Sequence, residues 1–225
     1  FFILILSYNY ISCSFFEKKV NIDECQALGD KYYYNGMLFE GKIVSHYSNG
    51  QLKTEFQIKD GRKNGVCKEW YNNAQIKTLC RHKSGKKIGK CINWYKTGKK
   101  KKESIYSNGI INGKSTFWYE SGKKMISGNY KNGIKDGLQK HWYSNGQLEI
   151  EERFDNGLEH GLRLTWYKNG KPWSRESFKN GLFDGTIEFW YDNGMKMRVA
   201  KYNNGSLSEN PKIYNKQGEL IKENN

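Results

Sequence analysis

Proline is almost missing from this chain, with two residues in 225. That excludes a Pro-rich extended linker. Aliphatic residues are thin, because hydrophobics total 36% and aromatics alone supply 15%. Disordered chains carry few aromatics, so the chain folds, though not around one large aliphatic core. Phe1 to Leu6 is a purely apolar run, far short of the about 18 residues a membrane-spanning helix needs. The five cysteines are Cys13, Cys25, Cys67, Cys80 and Cys91. None forms a C-x-x-C pair, so no zinc framework is visible. The odd count gives no disulfide pattern for the whole chain. Acidic residues are the minority, 23 against 38 Lys and Arg, and the net charge is +15. Such a balance suits an acidic protein partner, an anionic membrane surface or nucleic acid. It also suits a well-solvated Lys-rich surface, since the charge is spread and only Lys99 to Lys102 forms a run.

What is abundant is periodic. W-Y-x-x-G recurs every 24 residues, headed by Trp70, Trp94, Trp118, Trp142, Trp166 and Trp190. His46-Tyr47 opens an earlier, weaker copy, and Tyr214 to Gly218 is a decayed last one. Glycine follows the same ruler. One register holds Gly41, Gly65, Gly89, Gly113, Gly137, Gly161 and Gly185, and two further registers bring the total to 21 of the 24 glycines. An aromatic recurs at Tyr106, Tyr130, Phe154, Phe178 and Tyr202. A fixed period of this length marks a repeat architecture.

Each unit reads as strand, turn, strand, turn. Leu138 to Tyr143 is a strand and Ser144-Asn-Gly146 a tight turn, because Asn-Gly favours the turn that matches strand twist. Gln147 to Phe154 returns, and Asp155-Asn-Gly157 turns again. Stacked units predict an all-β, elongated repeat array of β-hairpins forming one continuous twisted antiparallel sheet. Each unit advances it by about 10 Å. Trp and Tyr are neighbours, so they face opposite sides of a regular strand.

Four segments follow. Residues 1–14 are an apolar, signal-like segment. Ser12 and Ser14 fit a cut before Phe15, and Ile11-Ser12-Cys13 alternatively resembles a lipobox with Cys13 as the lipid-bearing residue. An ordinary N-terminal strand is the remaining reading. Residues 15–35 lead in, 36–218 are repeats, and 219–225 form a tail. The preferred expectation is an exported or envelope-associated protein, with a cytoplasmic one as the alternative.

At the repeat residues the chain resembles the MORN-repeat variant found in bacteria. That consensus has a W/Y-Y-x-N-G turn, a short Glu/Lys-rich strand, then aromatic-x-N-G-x-x-x-G. Trp142 to Gly161 follows it closely, and the resemblance covers residues 36–218. Bacterial members are widely labelled antitoxins, which implies binding and neutralising a partner protein. MORN repeats more broadly imply scaffolding and membrane association. The chain departs at Ala74 (a turn Gly), at His46 and Tyr214 (the Trp) and at Glu209 (a unit-opening Gly). These lie towards the ends, as capping units do.

Little chemistry is visible. Gly109 to Ser115 is one residue short of a phosphate loop, and its glycines recur in other units without Lys-Ser. None of His46, His82, His141 and His160 sits in H-E-x-x-H. Glu151, Glu152 and Glu159 read as surface carboxylates. No catalytic residue, metal site or cofactor is expected. A two-residue loop at Asn73-Ala74 places Cys67 opposite Cys80. In an exported protein that pair suits a cross-strand disulfide, with small apolar strand residues as the other reading. Cys91 is expected about 10 Å from Cys67, two strand spacings away. The function expected is a non-catalytic protein-binding module or scaffold with an acidic partner. Binding of an exported or lipid-anchored protein to anionic membrane is the alternative, and nucleic acid ranks last.

Overall fold

The computed structural model describes residues 18–223. The signal-like segment, its Ser12 and Ser14, and Cys13 lie outside the described residues.

Nineteen strands form one open sheet. Lys19–Asn21 lies parallel to Gly41–His46, the one parallel pairing among the described residues in an otherwise antiparallel meander. From there the strands follow in chain order to Leu220–Glu223. A typical unit is Ile134–Trp142 followed by Leu148–Asp155. The stacked-hairpin array read from the 24-residue ruler is the observed architecture.

The two turns differ in chemistry. Asn156 and Gly157 both have positive φ, +48° and +87°. Two such residues in a row make the type I′ turn that suits strand twist. The turn after Trp142 is different. Gly146 is left-handed at φ +91° while Asn145 is not. The Gly146 N–H donates to the Tyr143 carbonyl at 2.8 Å, and the Tyr143 N–H donates to the Gln147 carbonyl at 2.9 Å. This is a three-residue loop closed by a left-handed glycine, with a register shift between His141 and Trp142. The Asn-Gly argument therefore belongs to the other turn. At Ala74 the same loop forces a non-glycine to φ +63°.

Unit is tied to unit by tyrosine. The Tyr143 hydroxyl donates to the Trp166 carbonyl at 2.9 Å, and Tyr47, Tyr71, Tyr95, Tyr119, Tyr167 and Tyr191 make the same bond one unit on. The repeated glycines sit opposite the repeated aromatics. Gly137 pairs with Phe154, Gly161 with Phe178 and Gly185 with Tyr202, while Gly65 pairs with His82. These glycines serve the positive φ of the backbone there rather than make room for a ring: an added Cβ at Gly89 or Gly161 would meet nothing within 4 Å.

Register shifts on the return strands, such as the one between Gly128 and Tyr130, bend each strand. The sheet thus folds over one of its own faces, and one row of residues is buried in the crease. Across successive strands this row reads Val20, Ile43, Phe56, Cys67, Cys80, Cys91, Ser104, Ser115, Gly128, Gln139, Glu152, Arg163, Glu176, Ile187 and Ala200. Most of its members are under 9% exposed. At its start a three-stranded sheet, Gln26–Leu28, Lys31–Tyr34 and Met37–Leu38, helps to cover it. Ile22, Cys25, Tyr32 and Tyr34 pack there on Val20, Phe39, Ile43, Phe56 and Cys67. Arg62 holds this cover through Asp30 at 2.8 Å.

The cysteine expectation needs correction. Cys67 and Cys80 are register partners, as predicted, but the disulfide joins Cys80 to Cys91 and leaves Cys67 free. Cys80 lies on the strand between the other two, so Cys91 is its neighbour on the far side, with a Cα separation of 4.4 Å. Cys91 stands two strands from Cys67 but only one from Cys80, which brings it within bridging reach on that side.

Candidate functional site

Each strand alternates its side chains between the creased face and an outer face. Tyr71, Lys77, Asn93, Trp94 and Phe117 line one recess, and Trp142 lies with Lys124, Leu138 and Lys140 in another. The outer face is a lattice of ion pairs, including Lys140–Glu151 at 2.7 Å and Lys90–Glu103 at 3.1 Å.

The groove changes character along its length. Its floor begins aliphatic, passes through the three cysteines, and becomes hydroxylic at Ser104 and Ser115, whose oxygens are 2.6 Å apart. Gln139 comes next, fully buried. It fits because its neighbour is Gly128, where an added Cβ would stand 1.5 Å from Gln139 Oε1. The floor then turns ionic. Arg163 donates to Glu176 and lies 3.7 Å from Glu159. The Ser174 hydroxyl donates to Glu176 at 2.6 Å. Lys135 bridges to Glu152 at 3.4 Å. Glu152, expected at the surface, is in fact 8% exposed, because its position falls in the crease. Glu151 and Glu159 are half-buried and ion-paired.

Over this ionic floor stands a recess of about 420 Å³ lined by Ile150, Glu152, Arg163, Trp173, Phe183 and Phe189, among others. Trp173 and Phe189 meet edge-on with centroids 6.1 Å apart on one side. Phe183 packs at a tilt between Phe178 and Tyr202 on the other, at 4.8 and 5.3 Å. Trp173 is 43% exposed. It is also the one tryptophan outside the W-Y-x-x-G slot.

The residues singled out by repetition serve the frame. Trp70, Trp94, Trp118, Trp142 and Trp166 each end an outgoing strand and accept the tyrosine bond through their carbonyls, as does Trp190. Gly65, Gly89, Gly113, Gly137, Gly161 and Gly185 all have positive φ and face the ring slot. His82 occupies that slot. Burial, helped by Lys63 and Lys87, lowers its pKa from 6.5 to about 4, and its Nδ1 has no hydrogen-bond partner. His141 is lowered too, chiefly by burial. The groove's own residues escaped the sequence reading because they do not repeat. Their signal was Trp173 standing off the ruler.

Three consecutive segments, residues 111–132, 135–156 and 159–180, match the MORN repeat variant. They span the hydroxylic-to-ionic part of the groove. A comparison with curated proteins finds no match.

Proposed function

We propose that the chain is a non-catalytic binding module whose groove receives an extended segment of a partner protein. One observation carries this reading. The residues common to all units are consumed by turns and inter-unit bonds, while the groove is lined by residues that differ from unit to unit. Residues that change along an accessible groove allow selective recognition, and the exposed Trp173 with its neighbouring rings suits a binding hot spot. A toxin neutralised by an antitoxin is one form such a partner takes. The net charge of +15 favours one that is acidic overall, by steering at long range. An exported or envelope location fits the Cys80–Cys91 disulfide, because disulfides persist in oxidising compartments.

A photo-crosslinking residue placed at groove positions Lys77 or Trp173, and at outer positions Lys114 or Asn129, tests this in the native cell. The reading expects protein adducts from the groove positions and few from the outer ones. Adducts only from the outer face, or to lipid, contradict it.

A second reading, an anionic membrane surface, has a specific basis: Arg81, Lys114 and Arg153 are exposed on the outer face. Flotation with anionic vesicles, lost on raising salt, would support it. Failure to float at low salt removes it.

A further inference from the structure

In several units between Tyr47 and Phe154 the protein lays its own lysines over its own rings. Lys77 lies over Tyr71, Lys101 over Tyr95, Lys87 over Tyr106 and Lys135 over Phe154, with ammonium-to-centroid distances of 6.0, 5.5, 5.3 and 4.3 Å. The lysines come from two repeat positions. One holds Lys53, Lys77 and Lys101, and the other holds Lys63, Lys87 and Lys135. The first also lacks lysine at Met125, Glu149 and Met197, and the second at Ile111, Glu159 and Leu207; at the recess alone both positions carry rings. Trp173 stands in the first and Phe183 in the second. Among the described residues no lysine lies over Trp173, Phe183 or Phe189.

The floor beneath is ionic. Three carboxylates, Glu152, Glu159 and Glu176, face two cations, Lys135 and Arg163. Arg163 is taken up by Glu159 and Glu176, and it also covers the Phe178 ring at 4.8 Å. Glu152 keeps a single bond, at 3.4 Å to Lys135, and its carboxylate lines the recess. Arg198, the register partner of Phe189, stands at the rim 3.5 Å from the Tyr202 hydroxyl, so three cations in all face the three carboxylates. Aromatic faces above a buried carboxylate are what a cationic side chain needs. The rings attract the charge through their quadrupoles and cover its alkyl stem, and the carboxylate supplies a charge-assisted hydrogen bond.

We infer that the recess between Trp173, Phe183 and Phe189 is a subsite for one Lys or Arg side chain of the partner segment, with Glu152 as its counter-ion. This rests on the groove reading above and gives that groove a direction: one basic anchor at its C-terminal end. An overall acidic partner remains compatible, since steering acts over the whole surface and the anchor acts at one point.

The repeat supplies its own control variants. Trp173→Lys and Phe183→Lys restore the residue that other units carry in the same positions, so both retain the fold, which circular dichroism checks. Each refills the subsite with the chain's own cation. Selecting a library of random linear twelve-residue peptides against the full chain should enrich sequences with one Lys or Arg between apolar residues. A synthetic representative should bind at least tenfold more weakly to either variant. Replacing its basic residue by norleucine should cost a similar factor. Ile126→Lys, a swap that Lys102 shows to be tolerated, probes the groove elsewhere. Enriched peptides that lack a basic residue, ignore Trp173→Lys and are weakened by Ile126→Lys overturn the subsite but keep the groove. Peptides indifferent to all three variants, or no enrichment at all, overturn both.

Discussion

Individual residues in this chain are constrained most tightly where the crease or a turn leaves no room. Gly128→Ala puts a Cβ 1.5 Å from Oε1 of the fully buried Gln139. Overpacking of that kind costs about 1–3 kcal/mol, readable as a lower urea midpoint with an unchanged slope. Ala74 is the opposite case. It holds φ +63°, a region only glycine occupies without penalty. Ala74→Gly should therefore stabilise by about 1 kcal/mol, where glycine in an ordinary strand would destabilise. His82 makes stability depend on pH. Its pKa falls from 6.5 to about 4 on folding, so the unfolded chain takes up the proton first as pH drops. The stability due to neutral His82 is complete above pH 6.5 and is lost between 6.5 and 4. Each pH unit is worth about 1.4 kcal/mol, or about 3 kcal/mol in all. His82→Tyr, the residue at the equivalent Tyr106 and Tyr130, should flatten urea midpoints measured between pH 7 and 4.5. A midpoint that falls as steeply in the variant would assign the loss elsewhere.

At the scale of the element, the hairpin was legible and the crease was not. Trp142, Gly146, Gly157 and Gly161 recur on a ruler, and each marks a place where the backbone turns or meets a ring, so sequence position alone located them. The buried row has no such mark. Cys80, Gln139 and Glu152 share it only because two register shifts per unit bring them into line, and those shifts follow from turn geometry. For the same reason the Asn-Gly preference acts at Asn156-Gly157 and not at Asn145-Gly146. The tyrosine bond belongs to this scale too. Tyr143→Phe removes one hydroxyl donation to the Trp166 carbonyl, and a typical net hydrogen bond is worth about 1 kcal/mol. The same substitution at Tyr95 or Tyr119 should cost a similar amount, because those bonds are equivalent. The disulfide closes a loop between residues 11 apart, a crosslink worth about 3 kcal/mol when oxidised. Tryptic digestion of the oxidised protein should give Cys80 linked to Cys91. Native alkylation should spare Cys67, whose thiol burial raises to about 11. A peptide linking Cys67 to Cys80 would contradict this pairing.

Taken as one object, the protein is a row of hairpins with a polar, ion-paired outer face and a groove whose chemistry drifts from thiol to hydroxyl to charge. The proposed binding role depends on its being open. A closed globule would bury the variable residues that the groove presents. Small-angle X-ray scattering tests that property most directly. Eight units advancing about 10 Å each make a rod about 80 Å long with a radius of gyration of about 24 Å or more. A compact globule of the same 225 residues would have about 17 Å. Rod-like scattering with the larger radius is the result predicted, and a globular profile with the smaller one would contradict it.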